Sequence, residues 1–178
     1  MAVLTLAVAK SHLRITTANY DTILPDWVAS AEATIAQQCG PLEPTSTTDR
    51  LHGWRDALAL KTTPAISLTS VTPASGGALT IGDLYLDQAA GVVTFNNGAS
   101  FVARYYDVTY SAGRTTCPPD LLMAVKELLR HLWGSAQRGG GGRPGSAGSD
   151  SPDVPGAPYL LPDRVRELMA PHLQAGFA

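Results

Sequence analysis

The 178-residue sequence predicts an α+β protein: a small helical bundle, a β-rich antiparallel insertion, a flexible Gly/Ser/Pro tether and a C-terminal helix. Three observations carry that prediction. Residues 118–134 hold a broad apolar stripe at helical spacing, residues 45–112 hold short alternating runs broken by turn residues, and residues 134–158 are dominated by Gly, Ser and Pro. The expected division is a core domain over residues 1–134 with its insertion at 45–112, a linker over 135–158, and a terminal segment over 159–178.

In the core helix, Leu121, Val125, Leu128 and Leu132 recur every three or four residues, and Leu122, Leu129 and Trp133 widen the stripe. Pro118 and Pro119 suit a helix entrance, since proline presets the backbone and has no amide hydrogen to leave unpaired. Asp120 places a negative charge where the helix dipole favours it. Lys126, Glu127 and Arg130 form the solvated face. A stripe this wide needs partners on more than one side.

Ahead of it, Thr5 can cap a short helix over about residues 5–13, with Leu6, Ala9 and Leu13 on one face. Val8 stands where a capping-box glutamate would reach back, so the cap is simple. Thr16, Thr17 and Asn19 make a polar break. A second helix over about 21–39 carries Leu24, Trp27 or Val28, Ala31 and Ile35 inward, and Cys39-Gly40-Pro41 stops it.

The insertion is rich in Thr, Val, Leu and Tyr. Alternation at Leu58 and Leu60, at Ile66 and Leu68, and at Tyr106, Val108 and Tyr110 predicts about six strands. Pro73 to Gly77 and Asp87 to Gly91 read as turns, and Asn97-Gly98 as a tight hairpin. After the tether, Asp163 to Leu173 reads as a short helix with Val165, Leu168 and Met169 inward, Pro162 at its start and Pro171 limiting its end.

Composition narrows the function classes. The chain is 44% hydrophobic and 16% charged with a formal net charge of -2, which gives no electrostatic reason to expect nucleic acid as the main ligand. Nothing approaches the roughly 18 consecutive apolar residues of a membrane span, so no membrane partner is expected. The N-terminus lacks the pattern of a secretion signal, and two distant cysteines make no disulfide framework, so a reducing cytosol is the expected site of synthesis.

No constellation for catalysis emerges. The glycine run from Gly139 to Gly145 follows a helix rather than a strand and lacks the lysine of a phosphate loop, so it reads as linker. His12, His52, His131 and His172 show no zinc spacing. Cys39 sits at a helix C-terminus, where a thiolate is disfavoured. Cys117 lies nearer a helix start but has no recognisable His or Asp partner. Arg104, Arg114, Arg138, Arg143, Arg164 and Arg166 are scattered among acids and read as solvated surface or interface pairs. Ser11, Ser67 and Ser111 lie in no nucleophile elbow. The expectation is no enzyme, no catalytic residue, no metal and no cofactor.

The order of the pieces resembles the head-to-tail connector (adaptor) family of tailed bacteriophages. The resemblance lies in Leu4-Thr5-Leu6-Ala7 with Lys10-Ser11-His12-Leu13-Arg14-Ile15, then Asp21, Ala31-Glu32-Ala33 and Cys39-Gly40. It continues through Val108-Thr109-Tyr110-Ser111-Ala112-Gly113, Pro119-Asp120-Leu121, Ala124-Val125-Lys126-Glu127-Leu128 and His131-Leu132-Trp133. It closes with Gly156-Ala157-Pro158-Tyr159-Leu160-Leu161-Pro162 and Arg164-Val165-Arg166-Glu167-Leu168. Each motif is short, and their order and spacing carry the weight.

The resemblance implies a virion structural protein of the head–tail neck, made in the host bacterial cytoplasm. Copies would assemble as a homo-oligomeric ring, typically a dodecamer, below the portal protein. That ring would extend the DNA channel, let double-stranded DNA pass without sequence-specific binding, and dock the stopper or tail-completion protein. By the same resemblance Tyr159, Leu160, Leu161, Val165 and Leu168 would contact the portal or a neighbouring subunit, a cluster suited to an interface hot spot. Two alternatives stay open on the residues alone. The terminal helix can instead pack on its own domain, and the whole chain can instead be a small monomeric peptide- or polysaccharide-binding module with a β-rich binding region.

Overall fold

The computed structural model describes residues 3–139 and 161–173. It is mixed α and β, in the order α1 (Leu6–Leu13), α2 (Leu24–Cys39), β1 (Thr45–His52), β2 (Ala57–Ala59), β3 (Ala65–Pro73), β4 (Leu84–Asp87), β5 (Val92–Phe95), β6 (Tyr105–Ala112), α3 (Pro119–Gly139) and α4 (Asp163–Met169). Single 3-10 turns occupy Ile81–Asp83 and Ala170–His172. The described residues form two compact units. One holds residues 36–117 with Leu173, and the other holds residues 3–35, 118–139 and 161–172.

In the helical unit, Thr5 caps α1 as its hydroxyl accepts the Val8 amide at 3.4 Å, and Arg14 closes the helix in the left-handed region at φ 58°. Ala9 is fully buried, while Leu6 and Leu13 are half-buried. The Leu4 amide donates to Glu32 Oε1 at 2.8 Å, and Lys10 pairs with Asp21 at 2.6 Å. These two contacts tie α1 and its approach to α2 and the turn before it. Along α2 the buried positions are Leu24, Val28, Ala31, Ile35 and Cys39, a stripe at steps of three and four that settles Val28 over Trp27 as the inward residue. Gly40 at φ 79° ends the helix as expected.

α3 buries Leu121, Ala124, Val125, Leu128 and Leu129 completely. Asp120 Oδ1 accepts the Leu121 amide, and Glu127 pairs with Arg130 at 3.0 Å on the outer side. The helix runs to Gly139, five residues past the expected end near 134. Ser135, Ala136, Gln137 and Arg138 are acceptable helix formers that compositional reasoning had grouped with the glycine run. Of the tether proposed over 135–158, residues 140–158 lie outside the described residues.

The β unit comprises two three-stranded antiparallel sheets, ordered β1-β6-β3 and β2-β5-β4. Strand β6 alternates as the sequence predicts: Tyr106, Val108, Tyr110 and Ala112 are buried between partly exposed neighbours. Leu51, Val71, Leu58, Leu60, Leu84, Val93 and Phe101 complete one apolar core. Ring pairs Phe95–Phe101 and Phe101–Tyr106 cross it at 4.6 and 5.2 Å between centroids.

The predicted strand at Ile66 and Leu68 is β3, with Leu68 packed against the core, while register shifts between Ala65 and Ser67 and between Leu68 and Ser70 put Ala65 and Val71 fully inside. One local reading is corrected. Asn97-Gly98 does form a turn, with Gly98 at φ 75°, but it does not close a hairpin. β5 pairs with β2 and β4, and the chain after the turn instead meets Arg55 through Phe101. The β4–β5 hairpin is closed by the predicted Asp87–Gly91 turn, where Asp87 Oδ1 accepts two amides at 3.0 Å.

Among the described residues Asp49 is the one buried charged side chain. The Asp49 carboxylate accepts the Tyr110 hydroxyl at 2.6 Å and the Lys61 amide at 3.1 Å, and the Thr62 amide donates to Tyr110 at 3.0 Å. Burial first, then the bond to Asp49, pushes the Tyr110 phenol above its ordinary value. The network anchors the segment after β2 to the centre of β6.

Candidate assembly surfaces

The C-terminal segment is the first candidate. Val165 and Met169 of α4 are buried, four residues apart on one face, and α4 packs on α3 within the helical unit. His172 Nε2 stands 2.6 Å from Asp120 Oδ2, joining the following turn to the first turn of α3. The bond from His172, opposed by partial desolvation, holds the Asp120 carboxyl below its usual range. The outward side carries Arg164 paired with Glu167 at 3.2 Å and Arg166 with Asp163 at 3.6 Å. Exposed pairs of this kind add little stability.

Of the five residues the sequence nominated for partner contact, Val165 is buried within this chain, Leu161 and Leu168 are half-buried, and Tyr159 and Leu160 lie outside the described residues. Met169, which sequence periodicity put inward without a partner role, is the second anchor of α4. Tyr20 and Trp27 both meet Trp133 edge-on, at 4.8 and 6.4 Å between ring centroids, so the end of the apolar stripe on α3 is closed by aromatics.

Arg114 departs from the expected solvated surface. Its guanidinium donates to the Cys39 and Pro41 carbonyls at 3.0 and 3.3 Å, satisfying acceptors at the end of α2. Cys39 is buried and Cys117 half-buried, and neither forms a disulfide.

The two sheets of the β unit differ on their outward faces. On β1 and β6 the outward cross-strand pairs are polar. Thr48 meets Thr109 at 2.9 Å, Arg50 grips Asp107 through two bonds at 2.7 and 2.8 Å, and His52 packs on Tyr105. That pairing holds Asp107 below and Arg50 above their ordinary values. On the other sheet the outward rows are Tyr85–Thr94–Ala57 and Asp87–Val92–Ala59, which contain a single charge.

Just ahead of β2, Arg55 bridges Phe101, and the Trp54 amide also bonds to Phe101, a bulge in which two residues face one. Val102, Trp54 and Tyr85 are the most exposed large apolar side chains among the described residues, at 76%, 72% and 59%. Trp54 adopts φ 58°, unusual for a bulky residue, and is held there as its amide donates to the Phe101 carbonyl. Gly53 before it has no room for a side chain, because a Cβ would overlap the Ala103 carbonyl. Sequence reasoning singled out none of Trp54, Tyr85 and Val102. The available signal was a tryptophan set between a glycine and an arginine in a turn.

No helix among the described residues is long and apolar enough to cross a membrane. Compared with solved structures, the chain is similar over 99% of its length to a chain in the neck of an empty gene transfer agent (GTA) particle computed with C6 symmetry. The similarity covers 92% of that chain at a TM-score of 0.69 and 19% identity. A chain in the neck of the native GTA particle, computed with C12 symmetry, is similar over 99% of this chain and 91% of its own, at a TM-score of 0.68 and 18% identity. A chain of the native GTA virion gives 0.67 and 18% over 99% and 92%. These likenesses establish the fold. No curated protein sequence matches. Residues 2–137 match the head completion protein family, and the chain belongs to that family.

Proposed function

We propose that the chain is a structural head-to-tail connector that forms a ring below the portal, extends the DNA channel and docks the stopper or tail-completion protein. The observation that carries this reading is membership of the head completion protein family over residues 2–137, on a fold shared with GTA neck chains. Together they support a connector role in a phage-like particle and a place in its neck, and the same reading has the chain made in the host cytoplasm. The C12 neck likeness favours a dodecamer. A net charge of -2 suits a conduit that lets DNA pass without gripping it.

Within this reading the segment 159–173 attaches the ring. Val165 and Met169 seat α4 on α3, while Tyr159, Leu160, Leu161 and Leu168 supply apolar contact to the portal or a neighbouring subunit. Val165 thereby acts by positioning α4. The experiment is negative-stain microscopy of the portal ring mixed with the full chain and with a chain lacking residues 159–178. A second ring beneath the portal, lost on truncation, is the expected result. A ring that survives truncation removes the attachment role from the tail. No association of the full chain overturns the connector reading.

A further inference from the structure

We propose that the outward face of the sheet β2-β5-β4, with Trp54 and Val102 at its end, is one half of the contact between neighbouring copies, and that its occupant is the helical unit of a second copy. The proposal rests on the ring reading above.

An antiparallel sheet with a solvated face alternates polar residues outward. The outward pairs of β1 and β6 do so, with the Thr48–Thr109 and Arg50–Asp107 bonds. The other sheet instead presents Tyr85, Ala57, Ala59 and Val92, with Thr94 and Asp87 as the polar residues of those rows. Single exposed hydrophobics are ordinary, but Trp54, held on a left-handed backbone by the bond from its amide to the Phe101 carbonyl, is a pre-set anchor, and Val102 follows Phe101 as a second exposed apolar side chain.

A closed ring is built from head-to-tail contacts, so each copy needs two different patches that fit each other. We assign the second patch to the helical unit, whose exposed large hydrophobics among the described residues are Val8 of α1, Ile23 before α2 and Met123 of α3. Their elements touch: α1 packs on α3, and Lys10 of α1 pairs with Asp21 beside Ile23.

Area sets the expected behaviour. Three strands about 4.8 Å apart, two of four residues and one of three, with one added aromatic anchor, offer roughly 400 Å². A stable pair of proteins needs about 800 Å² on each partner. The patch therefore joins copies weakly in solution and holds only where ring closure gives every copy two neighbours.

The test is disulfide trapping in rings assembled on the portal, mixing a Tyr85→Cys chain with a Met123→Cys chain. Thr48→Cys mixed with Met123→Cys is the control, because Thr48 lies on the polar outward face. Mixed dimers of the first pair should form faster than the control on the order of a hundredfold, since an interface holds thiols at millimolar effective concentration. Rings that form with no such excess overturn the proposal and leave the ring. Trapping of Tyr85→Cys with itself, or on the portal chain, overturns it by naming a different occupant. Failure of any ring to form overturns the ring reading and this contact with it.

Discussion

Met169→Ala should release α4 from α3 while the rest of the helical unit stays folded. The reasoning starts from what seats this helix: Val165 and Met169 are its buried side chains, and the His172–Asp120 bond ties the turn after it to α3. Burying each side chain contributes about 1.5–3 kcal/mol, and truncating a buried methionine to alanine costs about 2–5 kcal/mol. That loss is comparable with everything the docking gains, so the opening is local, not global. Each 1.4 kcal/mol is tenfold, so amides of Asp163–Met169 should exchange at least about thirtyfold faster. The assay is native-state hydrogen exchange resolved by segment, with α3 residues Leu121–Leu129 as the internal reference. Equal acceleration in α3 and α4 would refute local docking. Unchanged exchange in α4 would refute the anchoring role of Met169.

Two further outcomes follow from the polar contacts. Tyr110→Phe leaves Asp49 and the Thr62 amide each short of a partner in the β core, and should lower stability to denaturant by about 1–3 kcal/mol; a loss below a few tenths would mean the network is not sealed from water. Asp120 is depressed in the folded chain, so its contribution is present above the unfolded carboxyl value and is lost as pH falls below about 4. The methyl resonance of Met169 should report undocking in that acid window, and Asp120→Asn should remove the acid dependence. A methyl signal that is flat from neutral pH to pH 2 would sink this reading.

Much of this architecture is legible in the sequence, for local reasons. The stripe in α3, the Thr5 cap, the Gly40 stop and the alternation of β6 are all written within a few residues, where backbone sterics and the helical or strand period act directly. The surfaces were less legible. Tyr85, Thr94 and Ala57 become one outward row only through two separate strand pairings, and Trp54 is fixed by a bond from its amide to the carbonyl of the distant Phe101. The terminal anchors were half legible: periodicity put Val165 and Met169 inward, but not what they would be inward against.

The sequence by itself therefore determined the element types, the Thr5 cap and Gly40 stop, and the membership of the head completion protein family. Tertiary structure decided the register of β3, the fate of the Asn97-Gly98 turn and the docking of α4 on α3. Propensity and periodicity act between neighbours, whereas these outcomes are chosen by which distant apolar surfaces can be buried together without stranding a backbone polar group.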